Sequence, residues 1–343
     1  MKKIKLTKIP SVLKNLNLKI GDECSFIPEI QPKEGSVIFV EVLEHKGKFN
    51  SFENSNGRLG FLYKGDVIPA VLGQRKALKE FSGYVPTELT VGETLSYICE
   101  SGVISKLEGF NKYWGTPMEV KVLGSMIVDG KPMNIKSSAH SSIKSIPDLP
   151  IVVITGSTMD VGKTTMICKI VNHFAHQGFK VIGAKLTGVA YLQDIYKILD
   201  AGAQNYLSFL DAGLPSTCGS KENALSSAYY LLNKIADEKP DIVILEMGDG
   251  LLGKYHVKDI LSDAEINKNI KVHINASSDI CAVSACKQIA NEIGLPIDLI
   301  TGLVVNNEEG INVIKTEFDL EAESNQNDIP KAISIINNKI LHK

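Results

Sequence analysis

The sequence predicts an α/β chain in two parts, a mostly parallel sheet flanked by helices preceded by a smaller β-rich domain. Three observations carry that prediction. After Pro150, near-continuous apolar runs such as Ile151-Val152-Val153-Ile154 alternate with helical stretches, the rhythm of strands buried on both faces and joined by crossovers. Before it, from about residue 35 to 128, the apolar segments are short and separated by turn signals. The full length, 343 residues, also exceeds what one ordinary core takes.

In the first part the strand-like segments are Ser36–Leu43, Asp66–Leu72, Glu93–Cys99 and Met118–Val128. The polar loop Asn54-Ser55-Asn56-Gly57 carries an Asn-Gly turn signal, and only Gln74–Phe81 reads as helical. Many short strands with few helices suggest a small antiparallel sheet or barrel. Asn134–Pro150, rich in Ser, Lys, Ile and Pro, reads as a linker, so the expected domains are 1–145 and 151–343.

In the second part the expected strands are Ile151–Thr155, Lys180–Lys185, Asp241–Glu246, Lys271–Asn275 and Asp298–Val305. The expected helices are Lys163–Gln177, Gln193–Ala201, Ala224–Ala236 and Ile280–Ile293, with a loop at Asn325–Asp328 and a terminal helix at Lys331–Ile340.

Composition narrows the function classes. A net charge of -2 gives no electrostatic case for nucleic acid or an anionic membrane as partner. No stretch approaches the roughly 20 apolar residues of a membrane helix. The basic start Met1–Pro10 lacks a secretory apolar run, so a cytoplasmic location is expected. Cysteines at 24, 99, 168, 218, 281 and 286 show no CxxC spacing and read as thiols of a reducing compartment. His173 and His176, at i and i+3, read as an ordinary helix face before a metal site.

The chemistry concentrates in Gly156-Ser157-Thr158-Met159-Asp160-Val161-Gly162-Lys163-Thr164-Thr165, which follows an apolar strand and opens a helix. Glycines let successive N–H groups face phosphates, and the helix N-terminus adds partial positive charge. Lys163 can reach the β- and γ-phosphates, and the Thr164 hydroxyl suits Mg²⁺. Gly156, Ser157, Thr158, Asp160, Val161, Gly162, Lys163, Thr164 and Thr165 are therefore the candidate nucleotide-binding residues. Five residues separate Gly156 from Gly162, one more than in the common form of this loop.

With that spacing, Gly156–Thr164 resembles the loop G-T-D-T-x-V-G-K-T of dethiobiotin synthetase and its relatives, over roughly residues 151–307. The resemblance implies an ATP- and Mg²⁺-dependent ligase fold. It implies that Lys185, in Lys185-Leu186-Thr187-Gly188, holds a substrate carboxylate or the transferring phosphate. It implies that Glu246, before Met247-Gly248-Asp249-Gly250, is a metal ligand, and Asp194 a second metal-associated carboxylate, with Asp200 competing. Asn306, closing Thr301-Gly302-Leu303-Val304-Val305-Asn306, would read the adenine edge. The catalytic set is thus Lys163, Lys185 and Glu246, and the metal set Thr164, Asp194 and Glu246. Met247 and Asp249 depart from the family's glycines, which points away from its substrate.

The implied reaction is activation of a small carboxylate by phosphoryl transfer, with a homodimer expected. A nucleotide-dependent switch or cofactor-assembly NTPase and a small-metabolite kinase or transferase stay open. Asp160 and Asp249 read equally as metal-site or loop charges. The loop Asp211–Gly219 reads equally as a pocket lining or a helix-capping segment. Cys218 has no recognisable His partner in the sequence, which argues against a nucleophile. Asn275–Asp279, between a strand and a helix, is placed to border the nucleotide.

Overall fold

A computed structural model describes residues 2–43, 47–136 and 145–341. The chain divides into two compact units: Met1–Ala139 with Val189–Gln193 and Phe209–Ser220, and His140–Gly188 with Asp194–Ser208 and Lys221–Lys343. Two short stretches of the C-terminal half thus belong to the first unit. Of the expected linker Asn134–Pro150, residues 137–144 lie outside the described residues.

The first unit is built from strands β1 (Lys2–Lys5), β2 (Glu23–Ile27), β3 (Val37–Val42), β4 (Ser51–Glu53), β5 (Leu59–Phe61) and β6 (Val67–Leu72). They are followed by β7 (Arg75–Lys76), β8 (Phe81–Tyr84), β9 (Thr94–Cys99), β10 (Val103–Phe110), β11 (Met118–Val128) and β12 (Lys131–Pro132). Five of these close a ring, β11-β3-β6-β10-β9 and back to β11, antiparallel except for the β6–β10 pair. Closure leaves the ring without free edges. Phe39, Ile68, Tyr97, Ile104 and Val120 are fully buried, within the core that the alternating faces of these strands supply. The Asn54–Gly57 turn joins β4 to β5 as a hairpin.

Gln74–Phe81 is not a helix. Arg75–Lys76 pairs with Ser82–Gly83 as a two-stranded ribbon, and Leu78 at its turn is 81% exposed where a helix would have buried it. The buried Arg75 guanidinium donates to the Ile98 carbonyl and pairs with Glu80, bonds an amphipathic helix does not offer. In the same unit the fully buried Glu53 carboxylate accepts the N–H groups of Leu192 and Gln193 and the Ser11 hydroxyl. Leu192 and Gln193 open the helix that runs on to Asp200, so Glu53 caps it.

The second unit contains β13 (Ile151–Gly156), α1 (Lys163–His176), β14 (Val181–Thr187), α2 (Leu192–Asp200, from Asp194 on), β15 (Asn205–Ser208), α3 (Lys221–Asp237) and β16 (Ile242–Met247). It continues with α4 (Val257–Leu261), α5 (Ala264–Asn267), β17 (Ile270–Ala276), α6 (Ile280–Glu292), β18 (Leu299–Thr301), α7 (Glu308–Phe318) and α8 (Pro330–Ile336). The sheet order is β15-β14-β16-β13-β17-β18, every pair parallel. Both faces are covered, which is why Ile151–Ile154 and Ile242–Leu245 are wholly buried. From central β13 the chain passes over β16 to reach β14, and later returns to β17 on the other side. This reversal opens a crevice at the carboxyl end of β13, where ligands of such sheets bind.

The strand expected over Asp298–Val305 is shorter. It ends at Thr301, Gly302 takes φ 95°, and Leu303–Val305 form a 3₁₀ turn. The β-branched pair Val304-Val305 imitated a strand there. The terminal helix begins at Pro330 and runs into a wider turn, Asn337–Leu341. No described helix is long and apolar enough to cross a membrane.

Candidate functional site

The loop after β13 is held at both ends by backbone bonds. Ser157 N–H donates to the Ala276 carbonyl of β17 at 2.9 Å, and Leu251 N–H donates to the Gly156 carbonyl at 3.0 Å. Between them the backbone reverses through Asp160 (φ 61°) and Gly162 (φ 101°), the residue before α1. At Gly162 a side chain is excluded twice over: the backbone is left-handed, and a Cβ would lie 2.3 Å from Nδ2 of Asn325. That Asn325 amide donates to the Gly162 carbonyl at 2.9 Å and is 1% exposed, so it clamps the loop from the far end of the unit. Asn325 reads in sequence as an ordinary loop residue, with no signal for this role.

Lys163 is buried, and its ammonium donates to the carbonyls of Thr158 (2.8 Å) and Asp249 (3.0 Å). The side chain therefore folds back over its own loop. Burial pushes its pKa down, while Glu246 pulls it up and Lys185 pushes it down further. On the next residue, the Thr164 hydroxyl donates to Glu246 Oε1 at 3.0 Å. Glu246 is the last residue but one of β16, beside β13, and is 3% exposed, and its Oε2 accepts from the Tyr206 hydroxyl at 3.3 Å. Burial and the Glu246 charge hold the Tyr206 phenol well above its usual pKa.

Lys185 on β14 stands in register with Glu246 on β16 and forms an ion pair with Asp194 at 2.5 Å. Burial works to raise the Asp194 carboxyl, but the Lys185 ammonium and its hydrogen bond outweigh it and leave the group below its usual range. The structure thus gathers Lys163, Thr164, Lys185, Asp194 and Glu246 into one cluster. Asp194 pairs into the cluster, whereas Asp200 ends α2 exposed.

Behind the loop lies a buried polar chain. His273 Nδ1 faces the Leu295 carbonyl at 3.0 Å, which only accepts, so that nitrogen carries the proton and Nε2 accepts from the Thr155 hydroxyl at 2.8 Å. Asn275 donates to Thr155 Oγ1, and Ser277 donates to Asn275, both within 2.8 Å. Asn275–Ser277 thus support the loop from beneath, and Ser278 N–H donates to the Ser157 hydroxyl at 3.1 Å.

The remaining candidates are more peripheral. Val161 is buried; Asp160, Thr165 and Asn306 are exposed, Asn306 just after the 3₁₀ turn. Asp249 contributes its carbonyl to Lys163. Most of Asp211–Gly219 is buried in the first unit, where Cys218 N–H donates to the Ser216 hydroxyl. His173 and His176 bond to Gln177 and to the Asn172 carbonyl on their own helix.

The cluster's donors are carboxylate and hydroxyl oxygens at a helix N-terminus, the hard-oxygen set that suits Mg²⁺ held jointly with a phosphate. Among the described residues no group of three or more His, Cys, Asp and Glu is placed to cage a metal. The oxygens of Thr164 and Glu246 are of the kind that suits a cation shared with phosphate oxygens.

No family model matches the chain, and no curated protein does. Among solved structures it is similar to the signal recognition particle receptor FtsY of Elizabethkingia anophelis, at 18% identity and TM-score 0.37 over 59% of this chain and 69% of that one. It is similar to the cell division protein ftsY of Thermotoga maritima, at 15% identity and TM-score 0.39 over 59% and 73%. It is similar also to the kinase domain of the Escherichia coli tyrosine kinase ETK, at 14% identity and TM-score 0.35 over 47% and 71%. Likeness at these values carries no functional argument, which must rest on the site's own residues.

Proposed function

We propose that the chain binds a Mg²⁺–nucleoside triphosphate at the 156–165 loop and cleaves its terminal phosphate. The observation that carries this reading is the Thr164–Glu246 contact at the head of α1. It couples the loop's hydroxyl to a carboxylate on the adjacent strand, beside a buried lysine.

Charge supports the metal's part. The positive charges of Lys163 and Lys185 are matched by Asp194 and Glu246, and the ammoniums of Lys163 and Lys185 already engage protein oxygens. A bare triphosphate therefore meets no net positive charge apart from the helix N-terminus. Mg²⁺ supplies the missing neutralisation of the transferring phosphoryl group. Glu246 and the Thr164 hydroxyl oxygen would hold it. Lys163 turns from the Thr158 and Asp249 carbonyls to the phosphates, where burial strengthens its attraction. The N–H groups of the loop and of the first turn of α1 hold the remaining oxygens.

Within this reading, a hydrolysis-driven switch is the better supported form. Lys185, the residue that would hold a carboxylate acceptor, is already neutralised by Asp194. Lys163 also ties the Asp249 carbonyl to the loop, so phosphate binding that takes Lys163 removes one of the bonds that hold the segment after β16. ATP is the preferred nucleotide in this reading, Asn306 being exposed and, by the resemblance, the residue that meets the base. The ligase form, in which a small acid opens the Lys185–Asp194 pair, is the second reading; the implied dimer and cytoplasmic location go with either.

Thermal shift with ATP and GTP, with and without Mg²⁺, tests the common core. A ligand at 100 times its Kd stabilises by roughly 2.7 kcal/mol, enough to detect. A single-turnover assay over a panel of small carboxylates then divides the forms. Phosphate release independent of any acid supports the switch, and release that requires one supports the ligase. No stabilisation by any Mg²⁺–nucleotide would overturn both.

A further inference from the structure

Tyr206 belongs to no sequence motif, and the reading above gives it no task. It lies on β15, the edge strand of the sheet, while Glu246 lies on β16, with β14 between them. An edge-strand side chain does not ordinarily reach past its neighbour. The register shows how this one does: Gly183 on β14 is level with Tyr206 on one side and Ile244 on the other. A Cβ at Gly183 would stand 2.5 Å from both Cδ2 and Cε2 of Tyr206. The phenol ring therefore passes over the bare Cα of Gly183, and its hydroxyl arrives 3.3 Å from Glu246 Oε2.

Gly183 interrupts an otherwise side-chain-filled buried strand, Val181-Ile182-Gly183-Ala184-Lys185. Glycine in a strand interior is destabilising against alanine, and it commonly marks a close approach. Here two groups approach, the Ile244 carbonyl oxygen at 2.9 Å from such a Cβ and, closer still, the ring whose hydroxyl meets Glu246. A Phe at 206 would fill the same space; the hydroxyl is the only atom that packing does not require.

The Glu246 carboxylate is gripped from both sides, Oε1 by the Thr164 hydroxyl and Oε2 by the Tyr206 hydroxyl. Two fixed donors define the rotation of a planar group about its bond, where one leaves it free to swing. We propose that Tyr206 is a positioning residue of the nucleotide site, holding the rotation of Glu246 so that Oε1 meets Thr164 and the Mg²⁺ brought by the nucleotide. Gly183 is the opening through which it does so. This inference rests on the Mg²⁺–nucleotide reading of Glu246 given above. Partners one step behind a metal ligand commonly govern metal affinity by about 10- to 100-fold.

The test measures metal-dependent binding on the full chain, apart from turnover. ATP affinity is titrated calorimetrically in EDTA and in Mg²⁺, and Mn²⁺ uptake in the presence of ATP is followed by electron paramagnetic resonance. Wild type, Tyr206→Phe, Gly183→Ala and Glu246→Gln are compared after thermal melts establish that each is folded. Tyr206→Phe is expected to keep its EDTA affinity within about twofold, yet lose about tenfold of the gain conferred by Mg²⁺ and bind Mn²⁺ correspondingly more weakly. Gly183→Ala, which keeps the hydroxyl but displaces the ring, should show the same loss, and the double variant no more than either. Should Glu246→Gln lose the Mg²⁺ gain while Tyr206→Phe retains it in full, the positioning role is refuted and the metal reading stands. Absence of any Mg²⁺ gain in wild type overturns the metal reading itself, and the role of Tyr206 with it.

Discussion

Acidification should loosen the second unit through one residue, His273. Its imidazole is 1% exposed between β13 and the Leu295–Pro296 segment, and burial lowers its pKa from 6.5 to about 4, against smaller opposing contributions from the Leu295 hydrogen bond and Asp298. A histidine with a depressed folded pKa contributes stability that is fully present above the unfolded value and is lost as pH falls through the folded one. The window is therefore pH 6.5 down to about 4. At about 1.4 kcal/mol per pH unit between the two values, complete protonation costs about 3 kcal/mol, of which about 2 kcal/mol is already lost at pH 5. The cost has a structural meaning, because protonated Nε2 can no longer accept the Thr155 hydroxyl just before the phosphate loop. Urea unfolding at pH 7.5, 6 and 5 measures it, with His273→Gln as the reference lacking the titration. The variant starts less stable by about 1–3 kcal/mol from its broken hydrogen bonds, but its curve should be flatter by about 2 kcal/mol between pH 7.5 and 5. Parallel curves for wild type and variant would refute the assignment of the pH dependence to His273.

Other consequences bear on the loop itself. Lys163→Ala should reduce Mg²⁺–nucleotide affinity at least about 100-fold in calorimetry without lowering the melting temperature of the free protein, because it removes a buried charge as well as two hydrogen bonds. Gly162→Ala forces a left-handed alanine against Asn325 and should cost about 1–3 kcal/mol in chemical denaturation, with nucleotide binding lost. Asn325→Ala releases the Gly162 carbonyl from its clamp, and about a tenfold weaker nucleotide affinity at nearly unchanged Mg²⁺ dependence is expected by thermal shift. Asp194→Asn removes the charge that neutralises Lys185, so inorganic phosphate or a small carboxylate should stabilise this variant more than wild type in the same assay.

What was legible in the sequence follows from which interactions are local. The helices α1, α2, α3 and α6 and the strands of the central sheet show in apolar periodicity because each buries one face or both along a contiguous run. The loop between β13 and α1 shows for the same reason: Gly156 to Thr165 are consecutive, and their geometry is mostly their own. Short elements such as β15, α4 and α5 hold too few residues to establish a period, and the ring closure of the first unit depends on pairings such as β9 with β11 that no local pattern encodes. Gln74–Phe81 reads as helical in sequence, but the burial of Arg75 and its pairing with Glu80 fold that stretch as a ribbon.

The site divides along the same line. Lys163, Thr164 and Glu246 stand at the end of a strand or at the start of a helix, where chain direction already announces their position. Lys185 and Asp194 are nine residues apart and meet because β14 leads back toward the start of α2, a contact sequence spacing only suggests. Asn325 and Tyr206 are different. Each reaches the site sideways, one from a loop 163 positions beyond Gly162 and one across an intervening strand 40 positions before Glu246. Lateral contacts leave their trace not in the residue that reaches but in the one that makes way. Gly162 yields to Asn325, and Gly183 yields to Tyr206. The glycine of the loop was legible because it belongs to a motif. The glycine in the middle of β14 is its counterpart without one, and it leaves room both for the Ile244 carbonyl and for the ring that brings a phenol hydroxyl to the Glu246 carboxylate.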